Sequence, residues 1–482
     1  MGLQQQVLSG LKWTAFAKFG GQLITWAITI IVMRLLSPSD YGLMALASAI
    51  VALLTTIAEF GLGAALVQAR ELSRQDIKQI FGAAILLNMT VFAILLLSAP
   101  LIATFFEEVR LSPIIQAASL QFVIIAVVLV PDSRMRRQMQ FKLLAIVDVS
   151  LGLTAGVITL LLALADFGVW SLVLGNLSGA TLRAVLLLVL TPEHLWPSFS
   201  LRGINRLLSF GGFTTLSRIL WHFLSQADIF IAGKFLGKEA LGFYSVSMYL
   251  ASLPMQKMMI VFNQVAFPAV ARIQDQKEII AEKLLKSLRL IAYFLFPVLW
   301  GLSAISPELV NLLLGEKWEA AIVPLQLVSL VVPVRMAANI LSTVTSALGR
   351  ADIDLYNTLT GAVIMPCAML VGVQWGINGL ATAWVFAVPI VFLLNFHRAS
   401  AVIGINLAQL VRTFLAPAMA AGIMLFVAIP LCRSGLSGMF NQYAHFAILV
   451  VIGAAIYLVL ASLLDRNIWR ETCVFVASFW KK

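Results

Sequence analysis

Five ionisable side chains lie in stretches of this 482-residue sequence that are otherwise apolar. Moving a charged side chain to the centre of a bilayer costs roughly 2.5–3.5 kcal/mol, so charges at such positions are functional candidates. They are Glu59, Arg218, Asp228, Lys257 and Arg335.

The three cations among them, Arg218, Lys257 and Arg335, indicate a positively charged, water-filled cavity. Such a cavity suits an anionic substrate, and the planar fork of donors on arginine matches phosphate geometry. The alternative interpretation is that these charges pair with acids such as Asp228 and hold helices together.

Three further groups are candidates for moving or binding an ion. Glu59 and Asp228 are acids inside predicted spans, where carboxylates can relay protons or bind a coupling cation. His222 is a third candidate, because a histidine side chain can gain or lose a proton near neutral pH. It follows Arg218 by one helical turn, which places both on one face of a helix, so His222 also belongs to the predicted cationic site.

The elements that position these residues are predicted to be membrane-spanning helices. Hydrophobic residues make up 61% of the chain and charged residues 11%, whereas soluble proteins carry roughly 25% charged residues. One span needs roughly 20 mostly apolar residues. The apolar runs predict an all-α polytopic membrane protein with about fourteen spans, at residues 11–35, 41–66, 80–105, 112–131, 145–165, 168–190, 211–234, 240–268, 288–313, 320–347, 354–373, 376–397, 408–431 and 444–464.

The distribution of basic residues predicts the orientation. The net charge is +11, from 33 Lys and Arg against 22 Asp and Glu. With the N-terminus inside, 24 basic residues fall on the cytoplasmic side and six on the outer side. This excess agrees with the positive-inside rule and places both termini in the cytoplasm. The basic balance is therefore a topology signal rather than a sign of nucleic-acid binding.

The sequence also contains a weak internal repeat. Residues 34–42 at the first predicted hairpin resemble residues 234–242 at an offset of 200, and Phe167-Gly168 resembles Trp375-Gly376 at an offset of 208. Spans 1–6 would then correspond to spans 7–12. Because six is even, both copies run in the same direction, as in transporters whose site lies between parallel repeats.

This repeat predicts the domain layout. We expect an N-terminal lobe at residues 1–190, a cytoplasmic linker at 191–210, a C-terminal lobe at 211–398, and two further spans with a cytoplasmic tail at 399–482.

Two kinds of interfacial element are also predicted. Trp318 and Trp375 lie near predicted span ends, as residues that anchor a protein at the membrane surface do. Residues 276–290 combine Ile280, Leu284 and Leu288 on one face with mixed charges elsewhere, which predicts an amphipathic helix at the cytoplasmic interface.

Signals for catalysis or cofactors are missing from the sequence. The three cysteines, Cys367, Cys432 and Cys473, form no CxxC pair. No P-loop, HExxH or GxSxG motif occurs. We therefore expect no cofactor, no metal site and no enzymatic activity.

Several segments resemble a known family. The segment Arg34-Leu35-Leu36-Ser37-Pro38-Ser39-Asp40-Tyr41-Gly42 is similar to the RxLxPxDYGxxA signature of Wzx-like polysaccharide flippases. These belong to the multidrug/oligosaccharidyl-lipid/polysaccharide exporter superfamily. Residues 60–68 resemble the end of the second helix in that family. Leu314-Gly315-Glu316-Lys317-Trp318 and residues 226–230 resemble its colanic acid exporter subgroup.

The resemblance covers essentially the whole chain and implies two six-helix lobes around a central cavity, plus two helices. It implies an inner-membrane protein that moves a short oligosaccharide on undecaprenyl diphosphate from the cytoplasmic to the periplasmic leaflet. It further implies coupling to a proton or sodium gradient, and membrane lipids and a polysaccharide polymerase as partners. The family's cavity residues follow no transferable motif, so the site residues above rest on their charges alone.

Two other functions stay open. A drug or small-molecule antiporter would share the fold, but a cationic substrate calls for carboxylates in the cavity rather than a basic excess. A polysaccharide polymerase or ligase would need a sizeable external loop to hold sugars, and the predicted external connections are short.

Overall fold

The computed structural model describes residues 21–22, 24–59, 62–68, 73–191, 196–200, 222, 225–274, 276–436 and 440–465. Within these ranges the chain is helical and contains no strand. Ten helical stretches of the described residues are long and apolar enough to cross a membrane. The predicted class, an all-α polytopic membrane protein, is confirmed.

The α-helices are numbered here in chain order. They are α1 (Ile24–Leu35), α2 (Pro38–Glu59), α3 (Leu62–Gln68), α4 (Arg74–Phe105), α5 (Leu111–Arg137), α6 (Phe141–Leu164), α7 (Val169–Leu190), α8 (Ala227–Arg272), α9 (Lys277–Leu309), α10 (Ile322–Ala347), α11 (Ala351–Gly372), α12 (Gly376–Ile403), α13 (Leu407–Ile423), α14 (Ile429–Leu436) and α15 (Gln442–Leu464).

The ten stretches relate simply to the fourteen expected spans. The helices α11 and α12 join through a 3₁₀ turn into one stretch, Asp352–Ile403, which contains two expected spans. The expected spans 11–35 and 211–234 each lie only partly within the described residues. The span expected at 240–268 lies in α8, which is long but less apolar than the ten.

The chain forms two compact units, Met1–Gly242 and Phe243–Lys482, and their boundary falls inside α8. In the first unit α4 packs on α5, α6 on α7, and α5 on α7. In the second unit α9 packs on α10, α11 on α12, and α10 on α12. The same pairing order therefore occurs twice, as the repeat predicts.

Two glycines of the repeat share an unusual backbone conformation. Gly168 precedes α7 with φ 54° and ψ −132°, and Gly376 opens α12 with φ 69° and ψ −157°. Residues with a Cβ rarely adopt such angles, so glycine is required at both turns. The 208-residue offset seen in the sequence is thus also an offset between two equivalent turns.

The last helices attach to α9. A core that includes Phe296, Met424 and Leu449 joins α9 to α15 through the π-helical turn Met424–Ala428. At the end of α15, Asp465 forms an ion pair with Arg289 of α9. These contacts bring the two spans beyond the repeat onto the second unit.

Two interfacial predictions need correction. Trp318 is fully buried, because the 3₁₀ turn Glu316–Ala321 folds it inward. Its ring packs edge-on against the ring of Phe243, with 5.9 Å between the two ring centres. Trp375, in contrast, is 70% exposed. Residues 277–290 are the first turns of α9 rather than a separate helix, and Ile280, Leu284 and Leu288 are buried within the protein.

Candidate functional site

The helical stretch α8 carries two of the predicted site residues, Asp228 and Lys257. Its 46 residues form two helical segments that meet at Gly237, where φ of 80° and ψ of 178° interrupt the helix. It is absent from the ten apolar stretches of the described chain, and it carries Ser247, Gln256 and Lys257. Polar residues in membrane helices usually face the protein interior or a water-filled path, so these residues of α8 are candidates for a site.

Arg335 of α10 is held against an aromatic ring. The carbon of its guanidinium group lies 4.7 Å from the ring centre of Trp384 in α12. The indole N–H of Trp384 donates a hydrogen bond of 2.7 Å to the hydroxyl oxygen of Tyr244 in α8. Trp384 is 7% exposed and Tyr244 is fully buried. Residues of α8 and α12 thus fix the ring that supports the Arg335 cation of α10, and such cation–π contacts strengthen as water is excluded.

Lys257 lies on a helix that touches the helix of Arg335. One turn after Arg335, Asn339 directs its side-chain nitrogen to the sulfur of Met255 at 3.9 Å. Met255 is buried in α8, two residues before Lys257, which is exposed. Two of the three predicted cations are therefore carried by contacting helices of the second unit.

The other two members of the predicted cationic site are Arg218 and His222. Arg218 lies outside the described residues. His222 is half-buried, and its backbone carbonyl accepts a hydrogen bond of 3.0 Å from the Ser225 hydroxyl.

Asp228 is buried in the first turn of α8, with 5% of its surface exposed. Its Oδ1 accepts a hydrogen bond of 2.9 Å from the backbone N–H of Ile229. A negative charge at this end of a helix is stabilised by the helix dipole. The helix dipole and the hydrogen bond from Ile229 thus stabilise the buried carboxylate of Asp228 in part.

Glu59 is the final residue of α2, and a buried amide lies beside that helix end. Asn88 of α4 is fully buried and donates hydrogen bonds to Ala84 O at 2.9 Å and to Ala58 O at 3.5 Å. Its Oδ1 has no hydrogen-bond partner among the described residues. Sequence reasoning based on charge could not single out Asn88, because the residue is neutral.

Other acids of the predicted spans are fully paired. Glu308 of α9 forms a two-pronged contact with Arg433, with Nε–Oε1 at 2.5 Å and Nη2–Oε2 at 2.8 Å. Arg183 of α7 pairs with Asp132 at 2.6 Å and with Asp148 at 3.3 Å. For these residues the helix-binding interpretation of membrane charges is sufficient.

A second charge cluster lies at the predicted outer end of the first unit. Lys234 Nζ pairs with Glu107 Oε1 at 2.7 Å, and Lys238 Nζ pairs with Glu108 Oε2 at 2.5 Å. The hydrogen bond from Lys234 lowers the pKa of the Glu107 carboxyl group. In the sequence this cluster is visible as two adjacent acids, Glu107 and Glu108, at one predicted connection between spans. Two lysines four residues apart, Lys234 and Lys238, lie at another predicted connection.

Comparison with known proteins shows that the chain is similar to polysaccharide biosynthesis proteins. A family model described as "Polysaccharide biosynthesis protein" matches residues 31–323. The teichuronic acid biosynthesis protein TuaB of Bacillus subtilis is 25% identical over 95% of both chains. The lipopolysaccharide biosynthesis protein WzxC of Escherichia coli is 26% identical over 82% of this chain and 81% of its own. The succinoglycan biosynthesis transport protein ExoT of Rhizobium meliloti is 24% identical over 96% of this chain and 94% of its own.

Solved structures show the fold. An inward closed conformation of the lipid II flippase MurJ superposes with a TM-score of 0.76, covering 95% of this chain and 99% of that chain at 16% identity. An inward-facing multidrug transporter of the MATE family superposes with a TM-score of 0.57, covering 80% and 96% at 16% identity. The chain therefore shares the polytopic helical fold of these two proteins.

Proposed function

The chain belongs to the family of polysaccharide biosynthesis proteins, and we propose that it flips a lipid-linked oligosaccharide across the membrane. The observation that carries this proposal is the set of relatives. They are named for teichuronic acid, lipopolysaccharide and succinoglycan, yet each aligns along most of this chain. Different sugars on one membrane scaffold point to a shared transport step.

The proposed substrate is an oligosaccharide repeat unit of an exopolysaccharide, O-antigen or capsule on undecaprenyl diphosphate. Its diphosphate would be bound by the cationic set of Arg218, His222, Lys257 and Arg335. The position of Arg335 on the Trp384 ring supports this role, because a guanidinium group fixed in one orientation presents its planar donors to phosphate oxygens without further ordering.

The proposed mechanism is alternating access driven by a proton or sodium gradient, as in an antiporter. Glu59 and Asp228 are the proposed coupling residues. The unpartnered Oδ1 of Asn88, beside the helix that Glu59 ends, supports an ion site there. An amide oxygen can accept a hydrogen bond from a protonated acid or coordinate a cation.

The proposed organisation follows the sequence repeat. Lobes at residues 1–190 and 211–398 would flank the substrate path, with the linker at 191–210 and two added spans from residue 399. The protein would reside in the bacterial inner membrane with both termini in the cytoplasm. It would hand its product to a polysaccharide polymerase, and its partners would also include membrane lipids.

A drug antiporter is the second candidate, because the MATE transporter fold is also similar. The three basic residues within predicted spans favour an anionic over a cationic substrate. An experiment therefore has to separate the two functions by the molecule that accumulates.

Deletion of the gene followed by mass analysis of extracted lipids provides this test. We expect an undecaprenyl-diphosphate oligosaccharide to accumulate and to clear when the wild-type gene is restored. Arg335→Gln should fail to clear it, whereas Arg412→Gln, which removes an exposed arginine of α13, should succeed. Drug sensitivity without any accumulated lipid-linked sugar would overturn the proposal in favour of the antiporter.

A further inference from the structure

Arg398 of α12 is fixed in place without being neutralised. Its Nη1 donates to three oxygens of α11: Thr360 Oγ1 at 2.8 Å, Asn357 Oδ1 at 3.2 Å and Tyr356 O at 3.3 Å. All three acceptors are neutral, and no carboxylate of the described residues forms an ion pair with Arg398. A guanidinium group has five N–H donors, and the three on Nε and Nη2 have no acceptor within the described chain.

This arrangement differs from that of the arginines that pair with acids. Six arginines of the described residues form ion pairs with carboxylates, namely Arg110, Arg136, Arg183, Arg289, Arg350 and Arg433. Their charge is balanced inside the protein. Arg398 instead keeps a full positive charge and three of its five N–H donors available to a ligand.

Arg398 lies near one end of α12, where a membrane-spanning helix meets the headgroup layer. It lies five residues before the end of α12 at Ile403, and Tyr356 lies five residues after the start of α11 at Ala351. At 1.5 Å per residue, both are about 7.5 Å from the helix ends. The headgroup layer occupies about 5–8 Å on each side of the hydrocarbon core. By the distribution of basic residues, this is the cytoplasmic side.

The surface leading away from Arg398 is apolar and exposed on both helices. Such stripes on a membrane protein face acyl chains. On α11 and α12 the exposed large residues of these stripes are Leu355, Leu359, Val363, Phe386, Ile390, Leu393 and Leu394.

We propose that the groove between α11 and α12 binds the phosphate of an anionic phospholipid through Arg398, with the acyl chains along the two apolar stripes. A headgroup such as phosphatidylglycerol fits best, because its phosphate carries no internal cation. In phosphatidylcholine the phosphate is already balanced by the choline ammonium group. Basic pockets between membrane helices on the cytoplasmic side are typical sites for such headgroups.

Two variants test this site in different ways. Arg398→Gln removes the cation, while Thr360→Glu keeps Arg398 and supplies a carboxylate where its Nη1 now meets a hydroxyl. Arg412→Gln is the matched control, because it removes an exposed arginine from the same membrane side.

The experiment is native mass spectrometry of the purified full-length protein with phosphatidylglycerol or phosphatidylcholine. We expect wild type and Arg412→Gln to prefer phosphatidylglycerol. Arg398→Gln and Thr360→Glu should each bind it at least about tenfold more weakly, which corresponds to the loss of a charged hydrogen bond. Melting temperatures without lipid show whether each variant is folded.

Three results would overturn the proposal. In the first, both variants keep wild-type affinity for phosphatidylglycerol, which would leave Arg398 as a tie between α11 and α12. In the second, Arg412→Gln loses as much affinity as Arg398→Gln, which would indicate general surface charge. In the third, millimolar inorganic phosphate or undecaprenyl diphosphate displaces phosphatidylglycerol completely, which would identify a different phosphate source.

Discussion

Gly42 and Gly242 are related by the 200-residue offset of the sequence repeat, and each lies against the hairpin of the other. A Cβ atom on Gly42 would overlap the backbone carbonyl of Lys238, and a Cβ on Gly242 would overlap the carbonyl of Pro38. Pro38 and Lys238 are themselves 200 residues apart. The two hairpins of the repeat therefore meet reciprocally at their glycines, as close-packed membrane helices often do at small residues.

The first prediction concerns this close approach. Gly42→Ala adds a methyl group where a backbone carbonyl stands, and overpacking of this kind costs about 1–3 kcal/mol or more. We expect a lower melting temperature of the purified protein by fluorescence-monitored unfolding. Gly152→Ala in α6 is the control, because a Cβ there meets no atom within 4 Å. Equal melting temperatures for the two variants would show that the hairpins do not meet as described.

The second prediction concerns the pH dependence of the Lys234–Glu107 pair. Because the pKa of Glu107 is lowered in the folded protein, its ionised form stabilises the fold at pH values above the pKa of the unfolded chain. This stabilisation is lost as the pH falls through the lowered folded value. Wild type should therefore melt higher than Glu107→Gln at pH 7, and the difference should vanish in acid.

A double-variant measurement provides the control for that pair. In a Lys234→Gln background, Glu107→Gln should change the melting temperature little at either pH. A difference that persists unchanged at acid pH, or in the absence of Lys234, would contradict the ion pair.

The third prediction separates positioning of Arg335 from general stability. Tyr244→Phe removes the acceptor of the Trp384 indole N–H and leaves a buried donor unsatisfied, at a cost of about 1–3 kcal/mol. Tyr457→Phe, the matched control, removes a buried hydroxyl that donates to Tyr293 O at 2.9 Å. Both variants should melt lower, but only Tyr244→Phe should slow transport at a temperature where both are folded. Equal transport rates would mean that the Trp384 ring does not position Arg335.

The fourth prediction concerns ion coupling. Glu59→Gln and Asp228→Asn should each weaken the dependence of transport on an imposed proton or sodium gradient, because neither amide can take up a proton. Asp148→Asn changes an exposed, paired acid and should leave this dependence intact. Unchanged gradient dependence in both test variants, measured in proteoliposomes, would rule out their coupling role.

The fold class could be predicted from the sequence because hydropathy reports directly on exposure to lipid. The similarity of residues 34–42 to residues 234–242 also indicated an internal repeat, and helices of the two units pack in the same pairing order. The prediction failed where apolar residues face protein instead of lipid. Trp318 and the face of Ile280 have interfacial patterns in sequence, yet both are buried, and periodicity alone cannot tell these surroundings apart.

The candidate site was predictable only in part. Charge inside an apolar run singled out Arg335 and Asp228, since unfavourable burial is visible in a sequence. The uncharged residues beside the candidates could not be singled out, because Trp384, Tyr244 and Asn88 carry no charge. Their importance arises from contacts between α8, α10 and α12, or between α2 and α4, which depend on tertiary packing.

Translocation by the purified protein in proteoliposomes tests the central proposal most directly. The substrate is a fluorescent oligosaccharide on undecaprenyl diphosphate, and a membrane-impermeant quencher reports which leaflet holds it. Wild type and Arg412→Gln should move the label between leaflets when an ion gradient is imposed, whereas Arg335→Gln should not. Movement at the rate of protein-free liposomes, together with gradient-driven export of a cationic dye, would contradict the flippase function.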